Sequence, residues 1–408
     1  LNKLCKEIRE YYFSNALWDD TVIFLKQLRK NNNDLWKQAS IDIWEVCEEN
    51  VRNASTLHIR WYWSRQRDLY DLAFLAAKDI ETKVEIADSL KSRPSLSWKA
   101  WEQLDEAYVR QEESALDTKR YVKRPMHKKA DLPSPVPFEH LPKSWIAIHF
   151  YLNDLEKKGY ALILEYDDNN GEWKWREQQF EFLPIFDAFE VWQHNYFERK
   201  IDASPFLEQL CKKIGKKMPF LFDLPEGKPV LFITHDFLHR LPLHAAINEK
   251  DEFFLEKHPS MYLPAWGFVR IENKTSTKGR ILLKNFDGYD FKNLLKIPWT
   301  KQVPKAKGED LTNIKEPPEL LVILCHGIPD LVNPFRARLD LAERGVTFRE
   351  ILKSKVSIYN SIVVLGACDT DLVPPITTAL DEHLSLNTAF LIKGAREVIG
   401  TLWKVRAG

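Results

Sequence analysis

The 408-residue chain is poor in features that would classify it at once. It has five cysteines, Cys5, Cys47, Cys211, Cys325 and Cys368, an odd number with no Cys-x-x-Cys pair among them. That argues against a disulfide framework and a zinc knuckle, and it fits a reducing cytoplasm as the expected location. There is no charge excess, with 59 Lys and Arg against 59 Asp and Glu, so nothing draws the chain as a whole to nucleic acid or to anionic lipid. No apolar run is long enough to cross a bilayer, and no signal-peptide core is present. What is there is ordinary globular material, 44% hydrophobic and 29% charged, with length for two or three domains. The chain begins at Leu1 and ends three residues beyond "TLWKV". It is therefore expected to be a piece of a longer protein, with material missing at both ends and segments missing inside.

Residues 1–118 carry helical periodicity. "DLYDLAFLAAKD" sets Leu69, Leu72, Ala73 and Ala76 on one face, and "PSLSWKAWEQLDEAY" spaces Trp98, Trp101, Leu104 and Tyr108 the same way. Breaks at "NNND", "NAS" and "SRP" separate short helices, the pattern of a TPR-like helical-repeat arm whose pairs bury their faces on one another. Trp18, Trp36, Trp44, Trp61 and Trp63 are read as its core. Residues 119–140, basic and then proline-rich, form a linker. From there the period changes. "WIAIHFYL" and "YALILEYDDNNGEWKWREQQF" are expected to pair, with Asn170-Gly171 at a turn. "PVLFIT", "RILLKNF", "LLVILC", "SIVVLG" and "EVIGTLW", apolar on both faces, suit central parallel strands of an α/β sheet flanked by helices, "SLNTAFLIKGA" being one. Residues 141–275 and 276–408 are expected to be its two halves.

Two of these strands end in reactive residues. "LLVILC" runs into His326-Gly327, and "SIVVLGA" runs into Cys368, 42 positions after the histidine. Functional groups gather beyond the carboxyl ends of strands in such sheets. An imidazole beside a thiol there favours the nucleophilic thiolate. Gly327 and Cys368 could each offer a backbone N–H to a developing oxyanion. His precedes Cys at about the caspase interval, and "GACD" is like the caspase cysteine neighbourhood.

"VILCHGIPD", "LDLAERGVTFREIL", "VVLGACDT" and "AFLIKGAREVIGTLWKV" occur in the order seen in CHAT domains, the caspase-like cysteine peptidases related to separase. "VLFITHDFLHRLPLHAAI" and "MYLPAW" resemble the segments that precede the catalytic half, so the resemblance covers roughly residues 141–408. A CHAT domain behind a helical-repeat arm is similar to the TPR-CHAT proteases that partner the RNA-guided type III-E CRISPR effector. The resemblance implies a pseudo-caspase half at 141–275, a catalytic half at 276–408, His326 as base, Cys368 as nucleophile, and Gly327 and Cys368 N–H groups as oxyanion donors. It also implies a protein substrate, no cofactor, activation by an effector gripping the helical arm, and RNA acting only through that effector. The chain departs from the family pattern in two places. It reads Cys368-Asp369-Thr370-Asp371 where relatives often have Cys-Glu-Thr-Gly. It also has Arg406-Ala407-Gly408 where an acidic residue would receive a basic P1 side chain, so an uncharged, apolar P1 is expected.

Plainer readings stand beside these. A lone strand-end histidine is as often structural as catalytic, and a lone cysteine is most often a small core residue. Cys325 is read as such a core residue, its side chain opposite to that of His326. His235 in "FITHD" ends a strand too, but Asp follows it and no "GAC" answers it, so it is read as a structural counterpart. A zinc site at His326 and Cys368 lacks further ligands at suitable spacing. The competing function is a catalytically silent CHAT scaffold that binds and regulates the effector.

Overall fold

The computed structural model describes residues 18–31, 34–53, 67–91, 141–197, 203–268, 278–285, 298–331, 333–373 and 383–404. Trp61, Trp63, the "PSLSWKAWEQLDEAY" segment and the linker at 119–140 lie outside the described residues. Two compact units divide the rest between Trp266 and Gly267. Among the described residues no helix is long and apolar enough to cross a membrane.

The first unit opens with helices α1 (Trp18–Lys30), α2 (Leu35–Asn53), α3 (67–76) and α4 (Ile80–Ser89). Their apolar faces meet as the spacing requires: Val22, Leu25, Trp36, Ile43, Leu69, Leu72 and Ala76 form one buried cluster, and truncating one of the leucines would cost about 2–5 kcal/mol. Trp36 and Trp44 are buried, as expected of core. The unit's sheet has the order β3-β2-β1-β4-β5. Its strands are β1 (Ile146–Asn153), β2 (Lys158–Asp167), β3 (Glu172–Phe180), β4 (Val230–Ile233) and β5 (Ser260–Leu263). β1 and β2 pair antiparallel, as do β2 and β3. β1, β4 and β5 run parallel. The turn after Asp167 uses Gly171 at φ 71, where glycine avoids a side-chain penalty.

The described helices of residues 67–91 are bonded to this sheet. Lys91, fully buried just past α4, donates to His149 Nδ1 at 3.2 Å and to the Phe150 and Ile233 carbonyls at 2.6 and 3.3 Å. His149 Nε2 lies 3.3 Å from Asp88 Oδ1. Burial pushes the Asp88 carboxyl up, but bonds from His149 and the Trp266 N–H, with the Lys91 charge, hold it below its usual value. From α3, Asp71 accepts from the Tyr151 hydroxyl at 2.7 Å and from the Asp154 N–H at 2.9 Å. Arg67 pairs with Asp154 and Asp236.

The second unit carries an all-parallel sheet of order β13-β12-β8-β6-β7. Its strands are β6 (Arg280–Lys284), β7 (Lys301–Pro304), β8 (Leu320–Leu324), β12 (Ile362–Gly366) and β13 (Glu397–Ile399). Leu321, Ile323, Val363 and Leu365 are buried on one face. Leu282, Val322 and Leu324 pack with Trp299 and Val364 on the other, which is why these strands read as continuously apolar. A three-stranded antiparallel ribbon, β9 (His326–Ile328), β10 (Arg338–Asp340) and β11 (Val346–Thr347), follows β8. Two helices complete the described unit's scaffold around the site, α5 (Phe348–Lys353) and α6 (Leu386–Ile392). Thr347 and Glu350 cap α5 reciprocally, at 3.1 and 2.9 Å. Ser385 caps α6, and Gly394 at φ 100 lies just past its end.

The Asp71 network has a consequence for pH. Burial pushes the Asp71 carboxyl up to about 7, while the Tyr151 bond and the Arg67 charge pull it down. A carboxyl whose folded pKa exceeds its unfolded value of about 3.9 favours the fold below that value and loses this contribution as pH rises to about 7. Asp71→Asn is therefore expected to gain stability relative to wild type as pH rises from about 4 to about 7. Urea unfolding at several pH values measures that difference; a difference constant with pH would mean that Asp71 stays ionised throughout.

Candidate active site

β8 and β12 are neighbouring parallel strands whose register runs from Leu320 opposite Ile362 to Leu324 opposite Gly366. The offset is 42 positions, 362 less 320, and Cys368 follows His326 by the same 42 positions. The pairing stops at Leu324 and Gly366; a bend at Cys325 precedes His326, and a bend at Ala367 leads into the turn that bears Cys368. Cys325 and Ala367 are buried, while His326 is exposed and Cys368 partly exposed. A Cβ on Gly366 would lie 2.5 Å from Leu324 Cδ2.

The strand ends stay in contact past the ladder. A Cβ on Gly327 would collide with the Cys368 carbonyl oxygen and stand 3.0 Å from its carbonyl carbon. Glycine at 327 is thus demanded by the approach of two backbones, a reason that sequence reading did not supply. β9 turns out of the sheet at His326 and pairs with β10, which sets Asp340 opposite His326. Directly opposed residues share a face of the ribbon, so this carboxylate lies on the imidazole's side. No sequence signal marked it, because the pairing depends on where the ribbon folds back.

The other described cysteines are unsuited to nucleophilic work. Cys47, Cys211 and Cys325 are buried, and only Cys368 among the four is partly open. Burial pushes the Cys47 thiol well up, that of Cys211 to about 11 and that of Cys325 to about 12. His235, at the end of β4, is 1% exposed, stacks on Tyr151 with ring centroids 4.9 Å apart, and accepts the Leu152 N–H at Nδ1. It is held as a core residue.

The turn bearing Cys368 is bonded on both sides. Asp369 takes a left-handed φ of 52, a conformation that Asp tolerates better than most residues. The Asp369 N–H reaches the Trp403 carbonyl at 3.3 Å, and the Asp371 N–H reaches that of Thr401 at 2.9 Å. Thr401 donates its N–H to Thr370 Oγ1 at 2.8 Å and its hydroxyl to the Ala367 carbonyl at 2.7 Å. The chain after β13 thus runs beside the turn bearing Cys368, with Ile399 exposed and Leu402 and Trp403 partly so. Among the described residues no cluster of three or more His, Cys, Asp or Glu could hold a metal ion.

Residues 292–407 match the CHAT domain, which supports the kinship with caspase-like peptidases. No curated protein matches the chain.

The collision at Gly327 is testable. Gly327→Ala is expected to destabilise the second unit by about 1–3 kcal/mol, because the obstruction is backbone and cannot rotate away. Its urea midpoint measures this; an unchanged midpoint would show that the strand ends separate freely.

Proposed function

We propose that the chain is a cysteine endopeptidase with His326 as general base and Cys368 as nucleophile. The observation that carries this reading is the pairing of β8 with β12 at an offset of 42, equal to the separation of His326 and Cys368, with His326 exposed, Cys368 partly so, and the Gly327 and Cys368 backbones in close approach. His326 takes the thiol proton, Cys368 sulfur attacks the scissile carbonyl, and the backbone N–H groups of Gly327 and Cys368 receive the oxyanion. Collapse expels the amine, protonated by His326, and water releases the acyl group. No metal or cofactor is needed for these steps.

The substrate is a protein with an uncharged, apolar P1 residue. Ile399, Leu402 and Trp403 beside the turn bearing Cys368 support this. Activity is switched on by a protein partner bound through the helical region, on the TPR-CHAT resemblance an RNA-guided type III-E CRISPR effector. The balanced charge of the chain supports RNA acting through that partner.

Cys368→Ala and His326→Ala are each expected to lower cleavage of the cognate protein by at least about a thousandfold while leaving partner binding intact. Wild-type turnover that survives in both variants would turn the assignment to a non-catalytic scaffold. Cleavage by the wild-type chain, measured with and without effector and target RNA, is expected to need both; equal rates would remove the gating. Mass-spectrometric mapping of the cut is expected to find an apolar P1, and Arg or Lys there would overturn that specificity.

A further inference from the structure

Asp371 stands where relatives often carry glycine, and its backbone does not require one, since Asp369 is the residue of this turn with positive φ. What Asp371 adds is a carboxylate. Its Oδ1 accepts from His383 Nε2 at 3.0 Å and from the Ser385 hydroxyl at 2.7 Å. The Ser385 oxygen also accepts the Thr388 N–H at 3.2 Å as the cap of α6 and lies 3.1 Å from Thr388 Oγ1. Thr388 in turn donates its hydroxyl to the His383 carbonyl at 2.7 Å, and the Asn387 N–H donates to the Thr370 carbonyl at 3.1 Å. His383, Ser385 and Thr388 are all buried, so water competes little for these bonds.

We infer that Asp371 is a positioning residue, which ties the turn bearing Cys368 to the start of α6 through His383 and Ser385 and so fixes the sulfur against His326. The inference rests on the dyad reading above. One side of the turn is held through the chain at 401–403. Asp371 and the Thr370 carbonyl hold the other, and without the carboxylate that side loses the His383 and Ser385 bonds and keeps the Asn387 bond. Freed on that side, the turn can shift Cys368 away from the imidazole without disturbing the sheet.

The test is the pH profile of Cys368 alkylation by iodoacetamide in the full chain, read by mass spectrometry, a property that a merely structural role would not move. Wild type is expected to be labelled faster near neutral pH than His326→Ala. Asp371→Gly is expected to slow labelling near neutral pH by about tenfold, towards the His326→Ala rate. Asp371→Asn, which keeps an acceptor, is expected to stay within about threefold of wild type. Buried Cys211 and Cys325 report folding by staying unlabelled. If Asp371→Gly exposes them, Ser385→Ala, which deletes one donor, takes its place with an expected loss of about threefold. A His326-dependent profile unmoved by either variant overturns the positioning role alone. A wild-type profile indifferent to His326→Ala overturns the dyad and this role together.

Discussion

The parallel pairing of β8 with β12 is the constraint on which the site depends. Backbone hydrogen bonds fix the register at an offset of 42, and the period of two fixes the faces within the strands. A slip of one residue would turn the faces of β12 over and carry the turn bearing Cys368 along with it. Burial on both faces makes such a slip costly, since Leu321, Ile323, Val363 and Leu365 would lose their places in the core. The same pairing brings two backbones so close at Gly327 and Cys368 that a side chain at 327 has no room. The approach of the strand ends and the packing of the core are here one constraint.

Past the ladder, the sheet no longer supplies order, and side chains take over. The chain from Cys368 to Asp371 meets 401–403 on one side and 383–387 on the other, by backbone bonds and by the Thr370, Thr401, Ser385 and His383 side chains. Loops at the ends of parallel strands are where chemistry gathers, and they hold a reactive group accurately only when tied to rigid neighbours. The left-handed Asp369 bends the chain between these two supports.

The two units show how little a strand-end histidine means by itself. His235 ends β4 much as His326 follows β8, yet it is buried against Tyr151 with its Nδ1 occupied. Nearby Lys91 and His149 are buried, Asp88 is half-buried, and the three are bonded in one network that ties a helix to the sheet. Removing one member would leave the others unpaired in a low dielectric, a costly change. These groups hold the first unit together, whereas His326 is exposed to what the solvent brings.

Much of this was legible in the sequence because it is local. Strands β4, β6, β8, β12 and β13 and helix α6 lie where apolar runs and caps put them, and the face of Leu69, Leu72, Ala73 and Ala76 is buried as its period requires. His326, Gly327 and Cys368 were visible from their places at strand ends, and Cys325 as core from parity. The tertiary structure alone decided which strands are neighbours and in what register, and so that the Gly327 and Cys368 backbones meet. It alone set Asp340 opposite His326, gave Gly327 its steric reason, and gave the Asp371 carboxylate its partners twelve and fourteen positions away. Period and capping act within a few residues and leave a local trace. Register, backbone approach and side-chain bonds between distant segments depend on packing, which no window of sequence contains.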